Sequence, residues 1–255
     1  MEQKMFFANS KGDKLCGILT NPTGDVTQPL IILTHGFHST KNTKNFLLLR
    51  ELLAQHNFSV FRFDTYGQGE SEGKFEQLTV SEGVDDILQA IAYLKRQHFT
   101  RMGLIGSSFG GNASIMAAVR THDLSVLALK SPVSNYEEKT RAQLTQQQIQ
   151  EWKDKGYRDM YDGSKEGKPL RLNYSYFEDF KYNDGYSVAP QITIPTIIVH
   201  GDKDESVPVE QSIKLSKLIP QSTLVLIKGA DHTYSYPDHT KQMAHAITDF
   251  IVEHV

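Results

Sequence analysis

Met102-Gly103-Leu104-Ile105-Gly106-Ser107-Ser108-Phe109-Gly110 ties an apolar run to a helix-like stretch, Asn112-Ala113-Ser114-Ile115-Met116-Ala117-Ala118-Val119. The order is strand, sharp turn, helix. Within it, Gly106-Ser107-Ser108-Phe109-Gly110 spells G-x-S-x-G, a pattern that lets the chain reverse so tightly that its central serine projects from the top of a sheet with the hydroxyl exposed. Side chains at 106 or 110 would collide across the turn, and a strained backbone at the serine tolerates no bulk beside it. Ser108 is therefore the candidate nucleophile.

Outward from this turn, strand-like runs recur at Lys4–Ala8, Leu15–Leu19, Leu30–Thr34, Val60–Phe63, Met102–Ile105, Val126–Leu129, Ile197–His200 and Leu224–Ile227. The first two, with no helix between them, read as an antiparallel pair. Helix-like runs separate most of the later ones. After residue 78, Thr79 and Glu82 have capping-box spacing, and Val80, Val84, Ile87, Ile91 and Leu94 recur at helical intervals. Met243, Ala246, Ile247, Phe250 and Ile251 repeat that logic near the end. Strands alternating with helices predict a mostly parallel, eight-stranded sheet covered on both faces, with ligands bound at the carboxyl ends of the strands.

Ser134 to Pro190 breaks the alternation. It holds no convincing β-run and is too long for an ordinary connection. Ten aromatic residues fall in it, among them Tyr136, Trp152, Tyr161, Tyr176 and Phe180, a density that excludes a disordered tract. The expected organisation is a core of residues 1–133 and 191–255 carrying an inserted cap over 134–190 with a partly aromatic underside.

Composition bounds the function. A chain of 255 residues with 39% hydrophobic content can bury a sizeable core. Net charge of −3 with no basic run leaves no nucleic-acid footprint and no polybasic membrane anchor, so a small molecule is the expected partner. Cys16 is the single cysteine, which rules out an internal disulfide framework and a cysteine-rich zinc site. No apolar stretch approaches a bilayer span and the first residues are too polar for a secretory signal, so the expected compartment is the cytoplasm.

A serine hydroxyl is a weak nucleophile at neutral pH and needs a base, which in turn needs an orienting carboxylate. Lys228-Gly229-Ala230-Asp231-His232 follows the last strand and supplies the base, His232. Asp202, Asp204 and Glu205, just past the strand at Ile197–His200, compete for the acid on spacing alone. Asp231 is a poor candidate because neighbouring side chains diverge. For the oxyanion, the backbone N–H of Phe109 opens a helix directly after the nucleophile, and Phe37 N–H in Thr34-His35-Gly36-Phe37-His38 is the second donor expected. His35 and His38 could suggest a metal pair, but no third ligand cluster follows, and neither metal nor cofactor is called for. Gly67-Gln68-Gly69 lacks a third glycine at dinucleotide spacing and reads as a solvated turn stabilised by Asp64.

Taken together these stretches resemble the α/β-hydrolases over nearly the whole chain: His35-Gly36-Phe37 as oxyanion loop, Phe63-Asp64-Thr65-Tyr66-Gly67-Gln68-Gly69-Glu70-Ser71 as the F-D-x-x-G-x-G-x-S stretch, Gly106–Gly110 as nucleophile elbow, His200-Gly201-Asp202-Lys203-Asp204 as acid loop and Gly229-Ala230-Asp231-His232 as histidine loop. The resemblance is strongest to the serine-aminopeptidase-like and monoacylglycerol-lipase-like branch, particularly bacterial cinnamoyl and feruloyl esterases. It implies an α/β-hydrolase fold, a cap at 134–190, and Asp204 rather than Asp202 as the acid. The implied activity is hydrolysis of small to medium carboxylic esters through an acyl-enzyme on Ser108. Alternatives are a peptidase, with Glu178 or Asp179 as anchor for a substrate amine, a thioesterase or monoacylglycerol lipase, and a non-catalytic receptor on the same scaffold.

Overall fold

The computed structural model describes residues 2–160 and 169–255. Along the chain run β1 (Glu2–Ala8), β2 (Lys14–Thr20), β3 (Leu30–Thr34), α1 (Lys44–Gln55), β4 (Ser59–Phe63), α2 (Val80–Arg96), β5 (Met102–Ser107), α3 (Phe109–Ala118) and β6 (Leu124–Lys130). There follow α4 (Tyr136–Gln143), α5 (Gln146–Lys155), β7 (Tyr157–Met160), β8 (Leu170–Asn173), and the single turns α6 (Ser175–Glu178) and α7 (Gly185–Val188). The chain closes with β9 (Thr196–Gly201), α8 (Val209–Leu218), β10 (Ser222–Ile227) and α9 (Pro237–His254). Eight strands form one sheet in the order β1-β2-β4-β3-β5-β6-β9-β10, antiparallel where β2 meets β1 and β4 and parallel from β4 onward. The alternation of runs predicts this mostly parallel sheet, and its arrangement is the α/β-hydrolase fold that the resemblance implies.

Successive side chains on a strand point to opposite faces, and both faces here are apolar. Ile32, Phe61, Phe63, Leu104 and Leu127 turn toward one core, which α2 and α3 cover with Val84, Ile87, Ile91, Ala113 and Ile115. Ile31, Leu33, Val60, Ile105 and Val126 turn to the other, beneath Phe46, Leu49 and Leu53 of α1 and Met243, Ile247 and Ile251 of α9. Double coverage explains why the central strands read as continuous apolar runs. Thr79 caps α2 by accepting from Glu82 N at 3.1 Å. No helix among the described residues is long and apolar enough to cross a membrane.

Between Ser134 and Pro190 the structure departs from the sequence expectation, because β7 and β8 pair as an antiparallel ribbon. Each strand has only four residues, too few for alternation to stand out. Tyr157 is held instead between the cations of Lys155 and Arg171, at 4.3 and 4.4 Å from its ring. The rings of Tyr136, Tyr176, Phe177 and Phe180 pack at centroid separations of 5.0 to 5.5 Å, Tyr136 stacked on Phe180 and the others edge-on or tilted, and Trp152 N–H donates to Leu172 O at 3.0 Å. Tyr161, one of the aromatics expected in this segment, lies outside the described residues. Asp179 anchors the segment to α2 by accepting from Ser81 N and Oγ at 2.9 and 2.5 Å.

The turn after β4 is held by Asp64, as expected, with Gly69 and Glu70 exposed, but the carboxylate itself faces inward. Asp64 is fully buried and accepts from Lys41 N, Lys41 Nζ and Glu70 N at 2.7, 2.5 and 2.9 Å. Gly69, at φ +58°, lies so close to this carboxylate that a Cβ would overlap it. Asp64 therefore organises the turn from inside, as one partner of a buried ion pair.

A second buried acid has a consequence for stability. Asp86 on α2 accepts from Tyr66 N at 2.7 Å, while its other oxygen, enclosed, has no partner among the described residues. Burial pushes its carboxyl up from the ordinary 3.8 to about 8, with help from nearby Glu82 and Asp85. Above pH 4 the unfolded chain releases this proton and the folded one holds it, so Asp86 removes stability progressively from pH 4 to pH 8. Asp86→Asn keeps an acceptor for Tyr66 N–H and cannot ionise. Thermal unfolding across pH should show the variant gaining on the wild type between pH 5 and pH 8, and a difference independent of pH would contradict the assignment.

Candidate active site

β5 ends at Ser107, and the chain turns into α3 through one residue. Ser108 adopts φ 54°, ψ −109°, a conformation costly for a residue with a side chain, on the order of 1–3 kcal/mol. Four main-chain bonds hold it: Ser108 N to Lys130 O (3.0 Å), Val133 N and Asn112 N to Ser108 O (3.1 and 3.2 Å), and Gly110 N to His35 O (3.1 Å). A Cβ on Gly106 would strike Ser114 and Gly110, and one on Gly110 would strike the Thr34 and His35 carbonyls. Both glycines are thus demanded by close approach.

Opposite the serine, the β3 loop brings Gly36 so near that a Cβ there would lie 3.3 Å from Ser108 Cβ. His35 shapes this loop from within. Its Nδ1–H donates to Gly36 O at 2.8 Å and its Nε2 accepts from Thr65 N at 3.2 Å, so both nitrogens are committed and burial keeps the ring neutral. Among the described residues, neither Phe37 N–H nor Phe109 N–H donates to another group. Phe109 stands at the positive end of a ten-residue helix.

Of the three acids left open by spacing, only Asp204 meets the histidine. His232 Nδ1–H donates to Asp204 Oδ2 at 2.6 Å. Asp202 instead accepts from Gly229 N at 2.6 Å and ties the two loops together, while Glu205 is exposed. Asp231 stays within its own loop, accepting from Thr233 N and Ser235 N at 2.9 and 3.0 Å. Burial alone would raise the Asp204 carboxyl, but hydrogen bonds from His200 and His232 and from Val207 N–H outweigh it and hold the group far below the usual carboxylate range. With Nδ1 taken, His232 Nε2 is the nitrogen left to exchange protons.

Two side chains that the sequence did not single out complete the surroundings. His200 Nε2–H donates to Val207 O and Asp204 Oδ2, each at 3.1 Å, and its Nδ1 meets Ser212 Oγ at 2.6 Å, so this imidazole braces the acid from behind. Lys130 ends β6 almost fully buried. Its Nζ donates to His232 O at 3.0 Å, reaches Ser107 Oγ at 3.4 Å and sits 4.7 Å over the Tyr234 ring. The one available signal was a lysine closing an otherwise apolar strand. Burial lowers Lys130 to about 8, against the pull of Asp204 and Asp231.

Ser108 and Phe37 stand between two cavities. The larger, about 290 Å³, is lined also by His35, Asn45, Lys130 and His232. The smaller, about 120 Å³, lies under the inserted segment against Val133, Tyr136, Trp152 and Tyr176. No carboxylate lines either one among the described residues. Glu178 and Asp179, the amine anchors considered from sequence, are absent from both, and Asp179 is spent on Ser81 and Asn183.

Known proteins resemble this chain over almost its full length. Residues 45–255 match the prolyl oligopeptidase family model. The structure of ferulic acid bound to Est1E from Butyrivibrio proteoclasticus superposes with a TM-score of 0.87 at 28% identity, covering 98% of both chains. The bovine mitochondrial palmitoyl-protein thioesterase ABHD10 is 26% identical over 228 residues, 88% of this chain and 73% of that protein. The mouse ABHD10 structure shares the fold, with a TM-score of 0.82 at 23% identity over 98% of this chain and 99% of that one.

Burial depresses His232 below its ordinary value, Asp204 opposes this, and the charge of Lys130 depresses it further. Lys130→Met should therefore move the His232 titration midpoint, followed by NMR of the imidazole, to higher pH. An unchanged or lowered midpoint would exclude electrostatic coupling between the two.

Proposed function

The chain belongs to the prolyl oligopeptidase family of α/β-fold hydrolases, and from that premise we propose that it is a serine hydrolase of small to medium carboxylic esters. The observation carrying the proposal is the 2.6 Å bond between Asp204 and His232 Nδ1, which leaves Nε2 on an imidazole that lines the same cavity as Ser108. Ser108 Oγ attacks the acyl carbon while His232 Nε2 takes its proton. Asp204 fixes the tautomer and stabilises the imidazolium. The tetrahedral oxyanion accepts from Phe37 N–H and Phe109 N–H, donors without a competing partner among the described residues. Collapse expels the leaving group, which His232 protonates, and water then repeats the sequence on the acyl-enzyme.

In this reading the segment 134–190 is a cap that encloses the acyl group, since its Tyr136, Trp152 and Tyr176 wall the cavity beside Ser108. The absence of a lining carboxylate among the described residues argues against an aminopeptidase, which would need one to hold a substrate ammonium. Est1E, bound to ferulic acid, and ABHD10, a thioesterase, both agree with acyl transfer to water as the reaction class.

Ser108→Ala should lower kcat/KM on 4-nitrophenyl acetate by on the order of 10⁴ or more while leaving thermal stability intact. Retained turnover in the folded variant would refute the assignment. In the wild type, kcat/KM should fall at acid pH as His232 protonates, and a profile flat down to about pH 4 would be incompatible with a histidine base.

A further inference from the structure

The proposed chemistry divides the space around Ser108. The imidazolium must hand its proton to the departing oxygen or sulfur, so the leaving group lies on the side of His232, in the larger cavity. The acyl group then occupies the smaller one. Its walls are largely apolar, yet Lys139 from α4 and Arg158 from β7 both line it. These residues come from different elements with α5 between them, so tertiary structure and not helix spacing brings them together.

Neither cation has a carboxylate within ion-pairing distance among the described residues. Lys139 Nζ donates to the neutral Gln143 Oε1 at 3.1 Å, and the Arg158 guanidinium, on a strand whose backbone pairs with Leu172, pairs with no carboxylate among the described residues. Their neighbours on the same elements are satisfied: Arg141 pairs with Glu137 at 2.8 Å, and Lys155 and Arg171 both reach Asp159, at 3.3 and 3.4 Å. Burial disfavours the charge on Lys139 and on Arg158, and Arg158 adds repulsion at Lys139. Asp204, whose field reaches Lys139, is already committed to His232 and His200. Two like charges with no counter-charge among the described residues, beside an apolar cavity, are costly, and the cost falls when an anion enters.

Resting on the hydrolase reading above, we propose that Lys139 and Arg158 bind the far end of the acyl group, and that this end is a carboxylate. The substrate class is accordingly a half-ester or half-thioester of a dicarboxylic acid, its apolar middle against Tyr136, Trp152 and Tyr176 and its free carboxylate on the two cations. The guanidinium offers a planar fork suited to a carboxylate, and the ammonium a point charge beside it.

The test compares 4-nitrophenyl hydrogen adipate with 4-nitrophenyl hexanoate, which share a leaving group and a methylene chain and differ in the terminal group. The wild type should favour the adipate in kcat/KM by about tenfold or more, the size of one charge-assisted hydrogen bond. Lys139→Met and Arg158→Gln should each lower that ratio several-fold, whereas Lys155→Met, on an exposed pair, should leave it unchanged. Using the ratio cancels any loss common to both esters. A wild type that hydrolyses hexanoate as well as adipate, or a preference untouched by both variants, overturns the inference while the hydrolase reading stands. Hydrolysis of neither ester also overturns it if a fluorophosphonate still labels Ser108, and absence of labelling as well removes the hydrolase reading beneath it.

Discussion

A single backbone conformation carries the site. Ser108 has a left-handed φ in a position where glycine would be easier, and the chain enforces it from three directions: β6 through Lys130 O, the β3 loop through His35 O, and the loop after β6 through Val133 N. These are main-chain contacts between parallel strands and their crossovers, so the elbow exists only when the central sheet is assembled. The same close packing brings Gly36 over the serine and leaves two amides free beside it. Strain of this kind persists where surrounding structure overdetermines it, and its product here is a hydroxyl raised above the sheet edge between two cavities.

Charge is distributed with the same economy. The chain is slightly acidic overall, yet Lys130, Lys139 and Arg158 surround Ser108 and its cavities, and no carboxylate lines them among the described residues. Buried acids are directed elsewhere: Asp64 is consumed by Lys41 in organising a turn, and Asp204 by His200 and His232. A low-dielectric cleft lined by one sign of charge draws anions toward it. The inferred preference for an anionic acyl group and the depression of His232 by Lys130 are two effects of one field.

Much of the framework is legible in the sequence because it follows from short-range rules. All eight strands of the main sheet, the capping of α2 by Thr79 and the apolar stripe of α9 come from periodicity and turn chemistry. Ser108 and His232 come from their position after strands, but the acid needed more: three candidates fit by spacing, and only tertiary contact, or a family resemblance, separates Asp204 from Asp202 and Glu205. His200 and Lys130 were missed for a common reason. Each lies at or one residue before the end of a buried strand, where a polar residue looks like an interruption until its partners on other strands and loops are known. The β7–β8 ribbon was missed because four-residue strands carry too little pattern, and the buried lysine that meets Asp64, Lys41, was not foreseen because it lies before an intervening helix and strand.

The identity of the reacting atom decides whether the elbow carries the nucleophile. Intact protein treated with a fluorophosphonate, then digested and mapped by mass spectrometry, reports it directly. One adduct per chain, fragmenting to Ser108 and not to the adjacent Ser107, is the predicted result. A modification on another residue, or none in a folded and monodisperse sample, would contradict the claim that this elbow carries the nucleophile.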